Sequence, residues 1–596
     1  MRSLPVFTRH IGAALSVVLV CILGPVATAA TFNWNNFSGG NFGAASNWTP
    51  SGGPPDAAFD TAVFDLLGVY TVDIGTVTNS RFEVTTGDVT FDLFRPENPP
   101  IPALASTYSL VGTLGPAADI SSHPGALFPV TLTLVGGQEP FFGPRSTVDA
   151  DGFLRIGRDA NSNGSLVLQG VIWDSSATTT VGLNGLGDLR IDSDSVMSNT
   201  SAIVGLASGA VGDVIVEGKW FNTGTLSVGV LGQGTLEIAG EVSNDGDSGI
   251  AVTAGTSSVT VNSGTWTNGG SLFVGGGIES AGGTGSLEMN GATSQVTVTS
   301  ALRIWPGSTV TMNDGTLDTG ALVGAGTMNW TKGAVNVTGS DFTVDSVSPL
   351  GGAETLDADK PLTVSGALKL AQGGPATVSI IGGGQVMSSA GVLGNESASD
   401  GPASLLVAGA GSTWNISGDL QVGGRNTAAF QVSTGGAVNN VNASVATDPL
   451  SSANIILTQS GARWASTGSV YLGGDASAAG GTGTTEVRTG GTLDVGSTLK
   501  VWDDYVLQIN GGSVDAPVLD VRGRVDVTGT LDLTGAGTIA TLVLEGGTIN
   551  ADRVDFGDND LTGFGAINGK VSIGGDVIAT GDLTLGDAAG RRQAEF

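Results

Sequence analysis

The sequence predicts an all-β solenoid, a rod of stacked coils built from short strands, and three observations carry that expectation. Glycine accounts for 97 of 596 residues, more than twice the usual share of about 7%. Only 13% of the chain is charged while 40% is hydrophobic. One short motif recurs at fixed positions, in two long copies. Glycine costs about 1 kcal/mol per helix position, and little Lys, Glu or Arg is present to offset it, which argues against a helical protein. The apolar fraction is too high for an acidic disordered chain. The 21 prolines and the irregular glycine spacing exclude collagen.

In chain order, residues 1–29 read as a signal peptide. Arg2 and Arg9 form a positive start, Ile11 to Leu23 an apolar run, and Gly24-Pro25 a break. Ala27-x-Ala29 offers the small side chains that a signal peptidase accepts, so cleavage is expected after Ala29. A membrane anchor would need about 20 unbroken apolar residues. The one cysteine, Cys21, falls in the segment removed, and Val20 stands where a lipoprotein signal needs Gly or Ala. The mature chain is therefore expected to be exported, extracellular or on the bacterial cell surface, and held by ladders and packing without a disulfide. No second apolar run follows, so no membrane span is expected after cleavage. Removing Arg2 and Arg9 takes 23 basic residues to 21 against 54 acidic ones, which disfavours nucleic acid and anionic lipid as partners.

Residues 30–93 read as an N-terminal cap and first strands. They carry Trp34, Gly39-Gly40, Trp48-Thr49-Pro50 and Pro54-Pro55-Asp56 before alternating stretches such as Asp88-Val-Thr-Phe91, and a solenoid needs its open edge covered. Residues 94–150 read as a proline-rich insertion leaving the rod. Nine prolines lie between 94 and 145, too many for central strands throughout.

Residues 151–596 read as the solenoid. The motif Trp-x-x-x-Gly-x-(Leu/Val)-x-(Val/Leu)-Gly begins at Trp220, Trp266, Trp414 and Trp464 and ends at Gly229, Gly275, Gly423 and Gly473. Trp220 and Trp414 are 194 residues apart, Trp266 and Trp464 198. Gly282-Gly-Thr-Gly285 recurs as Gly480-Gly-Thr-Gly483, and Leu302-Arg-Ile-Trp305 as Leu499-Lys-Val-Trp502. Two long arrays, about 200–340 and 390–530, follow. Half the distance from Gly229 to Gly275 sets a coil of about 23 residues, room for three strands of four or five residues with turns between. About 18–20 such coils would form a rod of ~90 Å. The Gly, Asn and Asp between strands suit left-handed corners.

These motifs, with Ala408-Gly-Ala-Gly-Ser-Thr-Trp414 and Val432-Ser-Thr-Gly-Gly436, resemble the passenger-type repeats shared by autotransporters and by bacterial proteins with a PEP-CTERM sorting tail. The opening, Trp34 through Asn47-Trp48-x-Pro50 to Pro55-Asp56-x-Ala58, resembles the start of large secreted repeat proteins of planctomycetes. The resemblance covers about 31–93 and 150–590, and implies a right-handed parallel β-helix, export, and surface or matrix placement. The given residues depart from the family's pattern in that no Pro-Glu-Pro tail, wall-sorting signal or set of barrel strands precedes Phe596. The C-terminus therefore reads as a coil cut short.

The inventory of reactive side chains is thin. Beyond residue 29 there is no cysteine and one histidine, His123, so Cys–His and zinc sites have no ligand set. No phosphate-binding Gly-x-x-x-x-Gly-Lys-(Ser/Thr) sequence occurs. A carboxylate lyase or hydrolase would need a basic partner, and Arg522 and Arg524 are the only close pair inside the repeats. Asp159, Asn161 and Asn163 have the oxygen spacing that opens a calcium loop, but the twelfth position is Gly170, and an Asx-rich corner explains them as well. The recurrent tryptophans fit either a buried structural position or a platform for sugar rings. The expectation is a secreted or cell-surface structural or adhesive protein with no catalytic residue, cofactor or metal. Polysaccharide or cell-surface and matrix components are the partners in view. The alternatives are a carbohydrate-active enzyme, such as a polysaccharide lyase or hydrolase, and a glycan-binding protein.

Overall fold

The computed structural model describes residues 29–93, 107–110, 116–122, 130–136, 146–394, 401–539, 542–556, 560–586 and 594–595. Residues 1–28 of the expected signal peptide, with Cys21, lie outside this set, as does His123.

Alternation of apolar and polar residues shapes every coil. Leu186–Ile191 buries Gly187, Leu189 and Ile191 and turns the residues between them outward, the two-residue period of a strand with one face in a core. The chain then turns into Val196–Asn199 and again into Ser201–Val204 before Val211–Val216 starts the next coil. These three strands belong to faces one, two and three of a parallel β-helix. Each pairs in parallel with the strand of the same face one coil on, as Leu189 with Val214, Met197 with Trp220 and Ile203 with Ser227. Val196 pairs with Lys219 and Lys219 with Glu241, so a coil holds 23 and then 22 residues. Among the described residues there is no α-helix, only the single 3-10 turn Ala45–Asn47.

The motif's closing glycine follows the face-three strand. Gly229 takes a left-handed φ of +75°, and a Cβ there would meet Ser257 Oγ at 1.8 Å. Space demands glycine there, and the left-handed conformation favours it.

The rod begins in an aromatic cluster. Thr31–Trp34 pairs in parallel with Thr61–Phe64 and antiparallel with Trp48–Thr49, which covers its outer edge. The indoles of Trp34 and Trp48 meet edge to face at 5.1 Å, and Trp48 donates to the Phe42 carbonyl at 2.7 Å.

Residues 94–150 correct the insertion reading wherever they are described. Thr107–Leu110 joins face two, Pro116–Ile120 face three and Val130–Val135 face one, and Ser146–Ala150 continues face two. Eight of the nine prolines lie outside the described residues. The ninth, Pro116, opens its strand at a register shift before Ala118, where a missing N–H is tolerated.

The rod is also longer than the expected 18–20 coils. Face one holds a ladder of twelve strands ending at Thr327–Trp330. A second ladder of eleven segments runs from Ala353–Leu356 to Val577–Gly586. At about 4.8 Å per level the whole is on the order of 110 Å. Coils shorten toward the C-terminal side, where Val506 pairs with Arg524 and Val525 with Leu542, offsets of 18 and 17. There a single strand such as Thr530–Ile539 serves faces two and three through a bulge between Leu533 and Ala536, in place of a looped corner. Between the two face-one ladders, face two alone pairs without interruption, from Thr316–Gly324 through Ala334–Val337 to Leu362–Leu370.

Candidate functional site: a tryptophan column and an uncharged groove

The four motif tryptophans are buried in one inward column of face two. Trp173, Met197, Trp220, Val242, Trp266 and Val296 occupy successive levels, and Val386, Trp414, Val438, Trp464 and Leu493 repeat the alternation further on. Tryptophan thus falls on every second coil, with a smaller apolar residue between, and the motif recurs at twice the coil length. Trp220, Trp266, Trp414 and Trp464 are at most 1% exposed, which removes them as platforms for sugar rings.

Each of these indoles has its acceptor one coil back. Trp220 donates to Asn199 Oδ1 at 2.7 Å, Trp266 to Asn244 Oδ1 at 3.1 Å, Trp464 to Asn440 Oδ1 at 2.8 Å and Trp414 to Ser388 Oγ at 3.0 Å. The acceptors sit two residues after the small apolar residue of the intervening level. Asn199, Asn222, Asn244 and Asn268 form a continuous buried column of amides. The sequence reading missed them; a polar residue 21 to 26 positions before each tryptophan was the available signal.

The charged residues among the remaining expected ones are engaged within the rod. The Asp159 carboxylate takes two bonds from the Arg158 guanidinium, at 2.9 and 3.1 Å, and Arg158 also reaches Asp119 at 3.0 Å. Asn161 turns the corner with φ +61°, and Asn163 begins Asn163–Gln169. Burial raises the pKa of Asp119, against the opposing effect of Arg158. Arg522 lies over the Trp502 ring at 4.7 Å, on which Lys500 also packs at 3.7 Å, while Arg524 pairs with Asp526 at 2.6 Å. Trp502 props a small hairpin closed by Gly474 and Ala479 through a bond to the Asp475 carbonyl at 2.8 Å, as Trp305 props that of Gly276 and Ala281 through Gly277 at 3.0 Å. Among the described residues no three His, Cys, Asp or Glu side chains converge as metal ligands.

A groove of about 510 Å³ runs along the outer side of face two and its following corner, from Val364 to Thr467. Its floor includes the outward rungs Met387, Asn415 and Asn439, which pair level by level, and Asn439 Nδ2 donates to Asn415 Oδ1 at 2.8 Å. Its corner wall is Ser365, Ser389, Ser417, Val441 and Thr467, and no lining residue is charged. No protein family, curated protein or solved structure matches the chain. The fold and this geometry are therefore the ground for any functional reading.

Proposed function

We propose that the chain is a secreted or cell-surface structural and adhesive β-helix protein without catalytic activity, of the passenger-repeat kind that its motifs resemble. One observation carries the reading: tryptophan, arginine, lysine and glutamate side chains of the repeats join one coil to the next. Trp220 and Trp266 bind the coil before them, Arg190 bonds to Glu217 at 2.8 Å and Lys219 to Glu241 at 2.7 Å across levels. A thin rod on the order of 110 Å holds surface features far apart without large moving parts. Polysaccharide or matrix components are the partners this form suits.

Two measurements test the reading. Electron micrographs of residues 30–596 should show rods of about that length. Incubation with polygalacturonate and with neutral glucans, with and without Ca²⁺, should release neither unsaturated products nor reducing ends. Compact particles would overturn the rod, and product release would overturn the absence of catalysis. Export is tested by fractionating cells that express the chain with and without residues 1–29.

A further inference from the structure

We propose that the Asp60 carboxylate is the docking site of a new chain terminus, the Ala30 ammonium released when the leader is cut after Ala29. The proposal rests on the export reading above and gives that cut a structural consequence: it fastens the cap of the rod.

Position is the first argument. The rod takes up the chain at Ala30, whose carbonyl accepts the Thr61 N–H at 2.8 Å, and Thr31 then pairs with Thr61 in the ladder. Ala29 is exposed and Ala30 half-buried, so the bond to be cut stands where the chain enters its first coil from the surface. The Ala30 nitrogen donates to Asp60 Oδ1 at 3.2 Å, and Oδ2 takes the Ala57 N–H at 3.3 Å. The Asp60 backbone is held on both sides. Its N–H donates to the Ala57 carbonyl at 2.9 Å, and its carbonyl accepts the Ser80 N–H, one coil on, at 2.8 Å. The carboxylate is therefore set against Ala30 by the fold of the first two coils.

Charge is the second and independent argument. Asp60 is 8% exposed, and among the described residues no lysine or arginine pairs with it. A buried carboxylate facing only neutral amides lacks the partner that offsets its desolvation. Hydrolysis of the Ala29–Ala30 bond consumes one water. Ala29 leaves with the leader as a carboxylate, and the Ala30 nitrogen becomes an amine that binds a proton at neutral pH. The neutral donor beside Asp60 Oδ1 is thus replaced by a cation, and an ion pair takes the place of an amide contact. Thr31–Trp34, whose outer edge is covered by Trp48–Thr49, is then tied down at its first residue as well.

The test is amide hydrogen exchange on two forms of the mature chain, residues 30–596, one cut in vitro to leave a free Ala30 amine and one Nα-acetylated. Acetylation keeps the N–H and removes only the charge. Peptides covering Thr31–Trp34 and Thr61–Phe64 should exchange about tenfold more slowly in the free-amine form. In Asp60→Asn the two forms should exchange alike. Equal exchange in the two parent forms, or a difference that persists in folded Asp60→Asn, overturns the proposal. The parent comparison changes no side chain, so it decides even where Asp60→Asn does not fold. Mass spectrometry of the chain recovered outside cells should give Ala30 as the first residue, and another start overturns the proposal. Retention inside cells overturns the export reading alone, because the exchange comparison uses chain cut to Ala30 in vitro.

Discussion

The indole N–H of Trp266 donates to Asn244 Oδ1 at 3.1 Å, and Asn244 Nδ2 passes the contact back to Asn268 Oδ1 at 2.5 Å in the coil that holds Trp266. One buried amide thus joins two adjacent levels twice. Replacing Asn244 with Leu leaves the Trp266 N–H and the Asn268 carbonyl oxygen without those partners, at a cost of about 1–3 kcal/mol each. Asn244→Leu should lower the urea midpoint, and hydrogen exchange should show the loss concentrated in neighbouring coils, because a solenoid's stability is close to a sum of nearest-neighbour terms. Adding Trp266→Phe should recover part of the loss. Equal midpoints for Asn244→Leu and the parent chain would remove the contact's role.

Trp173 shows the converse case. It occupies the same column, but the residue two places after Val148 on the coil before it is Ala150, and the Trp173 N–H is buried with no partner among the described residues. Ser388 serves Trp414 from the equivalent place. Ala150→Ser should therefore supply the missing acceptor and stabilise the chain by about 0.5–1.5 kcal/mol, read as a rise in thermal midpoint. Ala150→Val adds bulk without an acceptor and should bring no gain.

Gly229 separates space from conformation. Ser257 Oγ, which accepts from the Gly234 N–H at 3.1 Å, occupies the place a Cβ at 229 would take. Gly229→Ala should lose about 1–2 kcal/mol from the left-handed backbone and about 1–3 kcal/mol from overpacking. Pairing it with Ser257→Gly should return the second part only. Left-handed alanine is sustainable in this column, since Ala251, one coil further, has φ +55°. A double variant no more stable than Gly229→Ala in urea titrations would refute the separation.

Much of this architecture was legible because the repeat is local. Glycine at 229 and 275 marks a corner by itself, and alternation in stretches such as Thr235-Leu-Glu-Ile238 marks a strand by itself. Contacts between coils were harder to read. Asn199 and Trp220 belong to different turns of the sequence, and only the register brings them together. Pro116 misled for a related reason: a proline at the start of a strand leaves the rest of that strand free to pair. The groove was the least legible, because its corner residues Ser365, Ser389, Ser417, Val441 and Thr467 recur at uneven intervals of 24 to 28 residues. Unequal corner loops hide that alignment from any fixed period.

Register also sets one acid-sensitive contact. Asp188 pairs directly with Asp213 on the outer side of face one, where like charges on adjacent strands repel. Partial burial between neighbouring coils, and then the Asp213 carboxylate, raise the Asp188 pKa above its ordinary 3.8. For a group whose folded pKa exceeds its unfolded value, the stabilising contribution is present below the unfolded pKa and is lost as pH rises through the folded one. The pair therefore holds the rod best in acid and weakens it at neutral pH. Asp188→Asn removes the repulsion, so its thermal midpoint should exceed that of the parent chain at neutral pH, and the difference should vanish below the carboxylate range. Added salt should narrow the neutral-pH difference, because both side chains face solvent and are screened. A midpoint difference that stays constant from acid to neutral pH would show that Asn acts through packing and that the Asp188–Asp213 repulsion contributes nothing.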